Sequence, residues 1–162
     1  MLNNLPLEIL IEIFKCLPLL DLLNLKRVNK KFNAIVKKNK WENITVKINK
    51  NIPNRRLKKF IKTHSFINYD LNGCKINNNI LKFLKVNTLS LSNCRNITNK
   101  GLKNLLVYNM LDLSYSTTDE GLKYLSCYQD FNLEYFDIMD EGLVYLTKKI
   151  LNLSFCKITV ED

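Results

Sequence analysis

Five cysteines, one histidine and two recurring acidic pairs are the side chains of this 162-residue chain best suited to holding a metal or making and breaking bonds. Cys74, Cys94 and Cys156 occupy one slot in successive segments, with Ser116 and Phe136 filling that slot between them. A tetrahedral metal site needs ligands that converge, and closely spaced pairs supply that convergence. Equivalent positions in a stack do not, so these three are expected as buried structural thiols. Cys16 and Cys127 fall at helix positions without an evident partner. An odd number of scattered cysteines fits reduced thiols in cytoplasm or nucleus better than a disulfide frame. His64 stands alone, with no HExxH, no nucleophile elbow and no glycine-rich phosphate loop in a chain of four glycines. Asp119-Glu120 and Asp140-Glu141 recur in the same frame, which suits helix starts better than an acid and base. The chain is therefore expected to be no enzyme, with no metal and no cofactor.

The elements that position these residues are of two kinds. With 46% of residues apolar and 25% charged the composition is globular, and the length allows one ordinary domain or two small ones. No run of 18 apolar residues occurs and the start lacks a cleavable leader pattern, so the chain is expected to stay where it is made. From Tyr69 onward the chain repeats: Tyr69-x-Leu71-x-x-Cys74, Leu89-x-Leu91-x-x-Cys94, Leu111-x-Leu113-x-x-Ser116, Phe131-x-Leu133-x-x-Phe136 and Leu151-x-Leu153-x-x-Cys156. Three units continue through a polar turn into Gly-Leu-x-x-Leu, at Gly101, Gly121 and Gly142. The first is looser, with Asn77-Asn78-Asn79 in that place. This pattern resembles the cysteine-containing leucine-rich repeats. The two leucines of Leu-x-Leu point to one side of a short strand, so the resemblance implies a solenoid with parallel concave strands and convex helices. Thr98, Asp119 and Asp140 lie where a side-chain oxygen can cap each helix, and the glycine is expected to permit a close backbone approach.

The first forty or so residues hold Leu5-Pro6-Leu7-Glu8-Ile9-Leu10, Ile13-Phe14, Leu17-Pro18, Asp21-Leu22-Leu23, Leu25, Val28, Phe32, Ile35 and Trp41. Pro6 and Pro18 read as helix starts, Pro6 at the first helical position, with Glu8 and Asp21 near the positive dipole ends. A third helix is predicted over Lys30 to Lys37, with Phe32, Ile35 and Val36 inward and Trp41 packed back as a plug. So small a trihelical segment cannot hide this much apolar side chain within itself. The order and spacing resemble the F-box, with Asn29 where that family often has Cys and Phe32 where it often has Trp. The resemblance implies docking on a Skp-family adaptor, and through it a cullin, by Leu5, Pro6, Ile9, Leu10 and Ile13, with Leu22, Leu25 and Val28 supporting or joining that surface.

The fold class expected is thus α followed by α/β: an F-box over residues 1–45, a basic connecting helix or linker over 46–68, and four to five leucine-rich repeats over 69–162, the last incomplete. A repeat cut short at Glu161-Asp162 is expected to fray or to make an end-to-end contact. Residues 1–68 carry 15 Lys and Arg against 4 Asp and Glu, whereas residues 69–162 carry 10 against 11. The densest patch runs from Lys47 through Arg55, Arg56, Lys58, Lys59 and Lys62. It reads either as a solvated helix face or as an attractor of an acidic protein, a nucleic acid or an anionic membrane. The acidic protein is favoured by the resemblance. Nucleic acid is disfavoured because no aromatic platform accompanies the patch, and no membrane partner is expected.

On the concave face, Asp70, Ser90, Asp112, Asn132 and Asn152 are expected to form one row, Asn72, Ser92, Ser114, Glu134 and Ser154 a second, and Gly73, Asn93, Tyr115, Tyr135 and Phe155 a third. Asp112, Tyr115, Glu134, Tyr135 and Phe155 make an aromatic strip with negative charge, suited to a basic or apolar protein segment. The same rings could instead shield the sheet edge. The function expected is a substrate-recognition subunit of an SCF-type ubiquitin ligase, with an unknown protein as substrate. The alternative is a non-degradative scaffold that binds or sequesters the adaptor.

Overall fold

The computed structural model describes residues 2–113, 119–125, 130–133, 137–139, 142, 144–146, 150–152, 154 and 156–159. Cys127, Tyr115, Glu134, Tyr135, Phe155, Asp140 and the last residues, Glu161 and Asp162, lie outside them.

Three helices open the chain: α1 (Leu7–Lys15), α2 (Leu19–Leu25) and α3 (Lys30–Lys38). Pro6 sits one residue earlier than expected, as the N-cap of α1 with φ −53° and ψ 152°. Its carbonyl accepts from Leu10 N at 3.1 Å, and Pro18 repeats the arrangement with Leu22 N at 3.0 Å. A proline at the cap has no N–H to lose, so the start is set at little cost. Asn29 caps α3 through its side chain, Oδ1 accepting from Phe32 N at 2.8 Å. Leu10, Phe14, Leu22, Phe32, Ile35 and Val36 are buried between the helices. Phe14 and Phe32 meet edge to face at 5.1 Å and 83°.

Trp41 is wholly buried and donates its indole N–H to Val36 O at 3.1 Å, yet it is more than a plug. It begins β1 (Trp41–Lys47), which pairs in parallel with β2 (Phe66–Asp70), Val46 lying opposite Tyr69. The segment read as a connecting helix does contain one, α4 (Asn54–Thr63), but as the crossover between these two strands. The sheet therefore starts at Trp41 and not at Tyr69. Glu42 and Asn43 are exposed in succession and the pairing slips between Trp41 and Thr45, which breaks the alternation that would mark a strand.

The chain continues through α5 (Asn78–Leu81), β3 (Lys85–Ser90), α6 (Asn99–Leu102), β4 (Leu106–Asp112), α7 (Asp119–Leu122), β5 (Asp130–Asn132), β6 (Asp137–Met139), β7 (Ile150–Asn152) and β8 (Lys157–Thr159). A six-stranded parallel sheet runs β1-β2-β3-β4-β5-β7, and β6 pairs in parallel with β8. Tyr69, Leu89, Leu111, Phe131 and Leu151 stand opposite one another, as do Asp70, Ser90, Asp112, Asn132 and Asn152. Helices α4, α5, α6 and α7 pack in that order along the sheet. Leu71, Leu91 and Leu113 from the strand side meet Leu81, Leu102 and Leu122 from the helix side in one core, which continues without a break into the three N-terminal helices.

The cysteine slot has a structural role. Cys94 Sγ donates to Leu71 O at 3.1 Å and Cys156 Sγ to Leu133 O at 2.9 Å, so each thiol ties one turn of the chain to the preceding one. Burial pushes the Cys94 thiol up to about 12 and raises that of Cys74, which keeps both protonated. Among the described residues no three His, Cys, Asp or Glu gather as a metal site, and no helix is long and apolar enough to cross a membrane.

The expected caps are only partly as drawn. Thr98 precedes α6 but makes no side-chain cap bond. Instead Asn78 bridges two turns, donating to Thr98 Oγ1 at 2.7 Å and accepting from Thr98 N at 3.0 Å. Asp119 lies inside α7 as its first residue. Gly101 is buried where a Cβ would collide with Asn78 Oδ1 and stand 2.7 Å from Asn78 Cγ, the close approach its repeat position implies.

Candidate functional site

The apolar residues of α1 cover more than one face. At 100° per residue, Leu10 and Phe14 point to the bundle interior, Leu7 and Ile11 fall on one flank of them, and Ile9 and Ile13 on the other. Leu7 and Ile11 border a shallow depression of about 250 Å³ with Ala34, Ile35, Lys38 and Asn39. Ile9 and Ile13, 49% and 38% exposed, have no such cover. Leu20 and Val28 add further bare aliphatic surface at 71% and 62% exposure, and Leu2 is exposed as well. Lone surface leucines are ordinary, but this number on three short helices is the mark of a face that another molecule covers.

Of the residues expected to dock, Pro6, Ile9, Ile13 and Val28 are exposed, and Leu5 and Leu25 are half-buried. Leu10, expected to meet the adaptor directly, and Leu22, expected to support or join that surface, are both fully buried and fill the interior of the bundle. One step along a helix turns a side chain by 100°, so Leu10 and Ile9 cannot share a role. Leu2, Leu7 and Leu20 were missed, although Leu20 breaks the Leu19-Leu22-Leu23 stripe by one residue and could have been read as off-core. The chain start, a 3-10 helical turn over Leu2–Asn4, is pinned by Lys31 Nζ, which donates to Asn3 O and Leu5 O, both at 3.0 Å, and by Asn29 Nδ2, which donates to Asn3 Oδ1 at 2.8 Å. Asn29 thus caps α3 and anchors the N-terminal segment, which accounts for asparagine at a place where the F-box often has cysteine.

His64 connects the helices to the sheet. It is buried at the end of α4, stacked on Phe60 at a 4.4 Å centroid distance, with Phe66 at 5.8 Å. Its Nδ1 lies 3.0 Å from Phe60 O and its Nε2 2.7 Å from Lys26 Nζ. Nδ1 therefore carries the proton, donating to the carbonyl, and Nε2 accepts from the ammonium. Burial lowers the His64 pKa, with the Lys26 and Lys37 charges acting in the same direction, and burial lowers that of Lys26 too. Both ring nitrogens are thus engaged, by Phe60 O and by Lys26 Nζ, and the ring serves as a structural joint.

The strand face that points away from the helices is mostly polar. Asn68 Nδ2 donates to Glu42 O at 2.6 Å and Thr88 Oγ1 to Asn68 Oδ1 at 3.0 Å. Asp112, proposed from sequence as a contact residue, is half-buried and accepts from Ser90 Oγ at 2.8 Å. In the second row Asn72 is exposed but Ser92 is buried. Gly73 and Asn93 of the third row have positive φ, 66° and 58°, which puts that register in the turns after the strands. The apolar patch on this region is one the sequence reading missed. Leu106, Tyr108 and Met110 of β4 are exposed, Tyr108 by 66%. Between Val107 and Met110 the strand holds one residue more than β3 does between Val86 and Thr88, a bulge that leaves Tyr108 out of register. The longer step from Leu89 to Leu111 was its signal.

No curated protein matches the chain. Residues 2–43, which hold the three helices and the bare aliphatic face, match the family model of the F-box domain. F-box domains bind Skp-family adaptors, and the chain carries one at its N-terminus.

Proposed function

We infer that the chain is a non-catalytic receptor subunit: its F-box docks a Skp-family adaptor through Ile9 and Ile13, flanked by Leu2, Pro6, Leu20 and Val28, and its sheet, read as a leucine-rich-repeat solenoid, holds a protein substrate. The observation that carries the first half is the exposure of Ile9 and Ile13 on one flank of a helix whose Leu10 and Phe14 are buried in the bundle. The second half is supported by the parallel strands stepping in register and by the exposed Leu106, Tyr108 and Met110 beside Asp112. Tyr115, Glu134, Tyr135 and Phe155 would extend that contact surface. In this reading the chain raises the effective concentration of the substrate near the ligase's ubiquitin-charged enzyme and does no chemistry itself.

Co-expression with a Skp-family adaptor tests it. Wild type is expected to co-elute with the adaptor, and Ile9→Asp combined with Ile13→Asp to weaken binding roughly a hundredfold, since two central apolar contacts become buried charges. A wild-type chain that is soluble alone and ignores the adaptor would overturn the docking reading. Cullin recovered with the adaptor, and a substrate that accumulates when the chain is removed, distinguishes a degradative receptor from a scaffold.

A further inference from the structure

Residues 43–111 carry 13 Lys and Arg against a single acid, Asp70. Asp70 faces away from the helices, between the buried Tyr69 and Leu71, and lies 3.8 Å from Lys47. The helix side of this span therefore has no acid of its own. The repeat sets its cations in line. Leu57, Leu81, Leu102 and Leu122 each stand fourth in successive helices, buried in the core, and each is followed by an exposed lysine, Lys58, Lys82, Lys103 and Lys123, with Lys62 one turn beyond Lys58 on α4. Around half-buried Phe83 three ammoniums gather, Lys58, Lys62 and Lys82 at 4.6, 4.7 and 5.5 Å from the ring centroid. The ring attracts each cation through its quadrupole but carries no net charge, so three like charges remain together without a counter-charge. Among the described residues no carboxylate lies within 4.0 Å of Lys58, Lys62, Lys82 or Lys103. The track has an end: α7 opens with Asp119 and Glu120 in sequence, and residues 112–162 carry 10 acids against 4 Lys and Arg.

We propose that the helix side of the sheet docks an acidic protein segment, an extended run of Asp and Glu whose carboxylates meet Lys62, Lys82 and Lys103. Charge complementarity along a fixed row selects an extended polyanion. A nucleic acid fits less well, because single strands are held by stacking bases on open aromatic faces and Phe83 is already crowded by lysines. The surface lies apart from the F-box face and does not depend on the receptor reading.

The full chain is titrated into a fluorescent dozen-residue oligo-glutamate, followed by anisotropy at low and at physiological salt. Saturable binding that weakens with salt is expected. Lys62→Glu with Lys82→Glu and Lys103→Glu should weaken it by roughly tenfold or more, with unchanged circular dichroism because all three side chains are exposed, whereas the matching arginine triple should bind as wild type does. Ile9→Asp with Ile13→Asp should leave this binding intact, which separates it from failure of adaptor docking. No saturable binding by wild type at low salt, equal binding by the glutamate triple, or a length-matched oligonucleotide that binds more tightly than the peptide would each overturn the proposal.

Discussion

The three N-terminal helices and the sheet that follows solve the same problem differently. Each turn of the sheet region places its leucines against those of the next, so Leu71, Leu91 and Leu113 are all fully buried. The helices have no such neighbour on one flank: six of the eleven exposed large apolar residues among those described fall within the first 28 residues. Stacking supplies a partner for every internal repeat from within the chain, whereas a short bundle can cover only one side of each helix. A leucine in the stacked slot of the sheet region is thus closed in by its own chain, whereas Ile9 and Ile13 on the outer flank of α1 are left bare.

This contrast can be broken by paired truncations. Leu89→Ala should destabilise the chain by about 2–5 kcal/mol, the usual range for emptying a closed core site, while Ile9→Ala should change stability by less than about 0.5 kcal/mol. Urea unfolding of the two variants measures both, and similar losses would mean that the α1 flank is core after all. Gly101→Ala sharpens the point inside the sheet region. Its methyl group would displace Asn78 from its bonds to Thr98 and press on Leu81 Cδ1 at 3.0 Å, an expected loss of about 1–3 kcal/mol. A stabilised Gly101→Ala chain would show that the stack has room there.

The junction between the regions gives the smallest effect, and it depends on pH. His64 has a folded-state pKa below its ordinary 6.5, so the unfolded chain takes up the proton more readily. Its stabilising contribution is complete above about pH 6.5 and is lost as pH falls from there through the lower folded-state value. Unfolding midpoints in urea should therefore drop between neutral and mildly acid pH, and His64→Phe, which keeps the stack on Phe60, should lessen that drop. An identical pH dependence in both chains would remove the joint from the account.

Much of this was legible in the chain. Pro6 and Pro18 mark helix starts whatever surrounds them, because proline at the cap has no N–H to lose, and the Leu-x-Leu-x-x-Cys spacing brings Tyr69, Leu89 and Leu111 opposite one another. Trp41 was legible as buried but not as a strand residue, since Glu42 and Asn43 interrupt the two-residue alternation. Leu10 and Ile9 looked alike in a list of apolar positions. Asn29 looked like a departure from a family pattern until its bonds to Phe32 and Asn3 were seen.

Local chemistry and periodicity, which act over a few bonds, were thus written in the residues themselves: the caps, the repeat length, the slot for a buried thiol and the excess of apolar side chain at the N-terminus. Packing decided which of those side chains went inside, that β1 joined the helices to the sheet in one core, that a bulge in β4 turned Tyr108 outward, and that Lys58, Lys62 and Lys82 gathered at Phe83. Those outcomes depend on contacts between residues far apart in the chain, and no local pattern carries them.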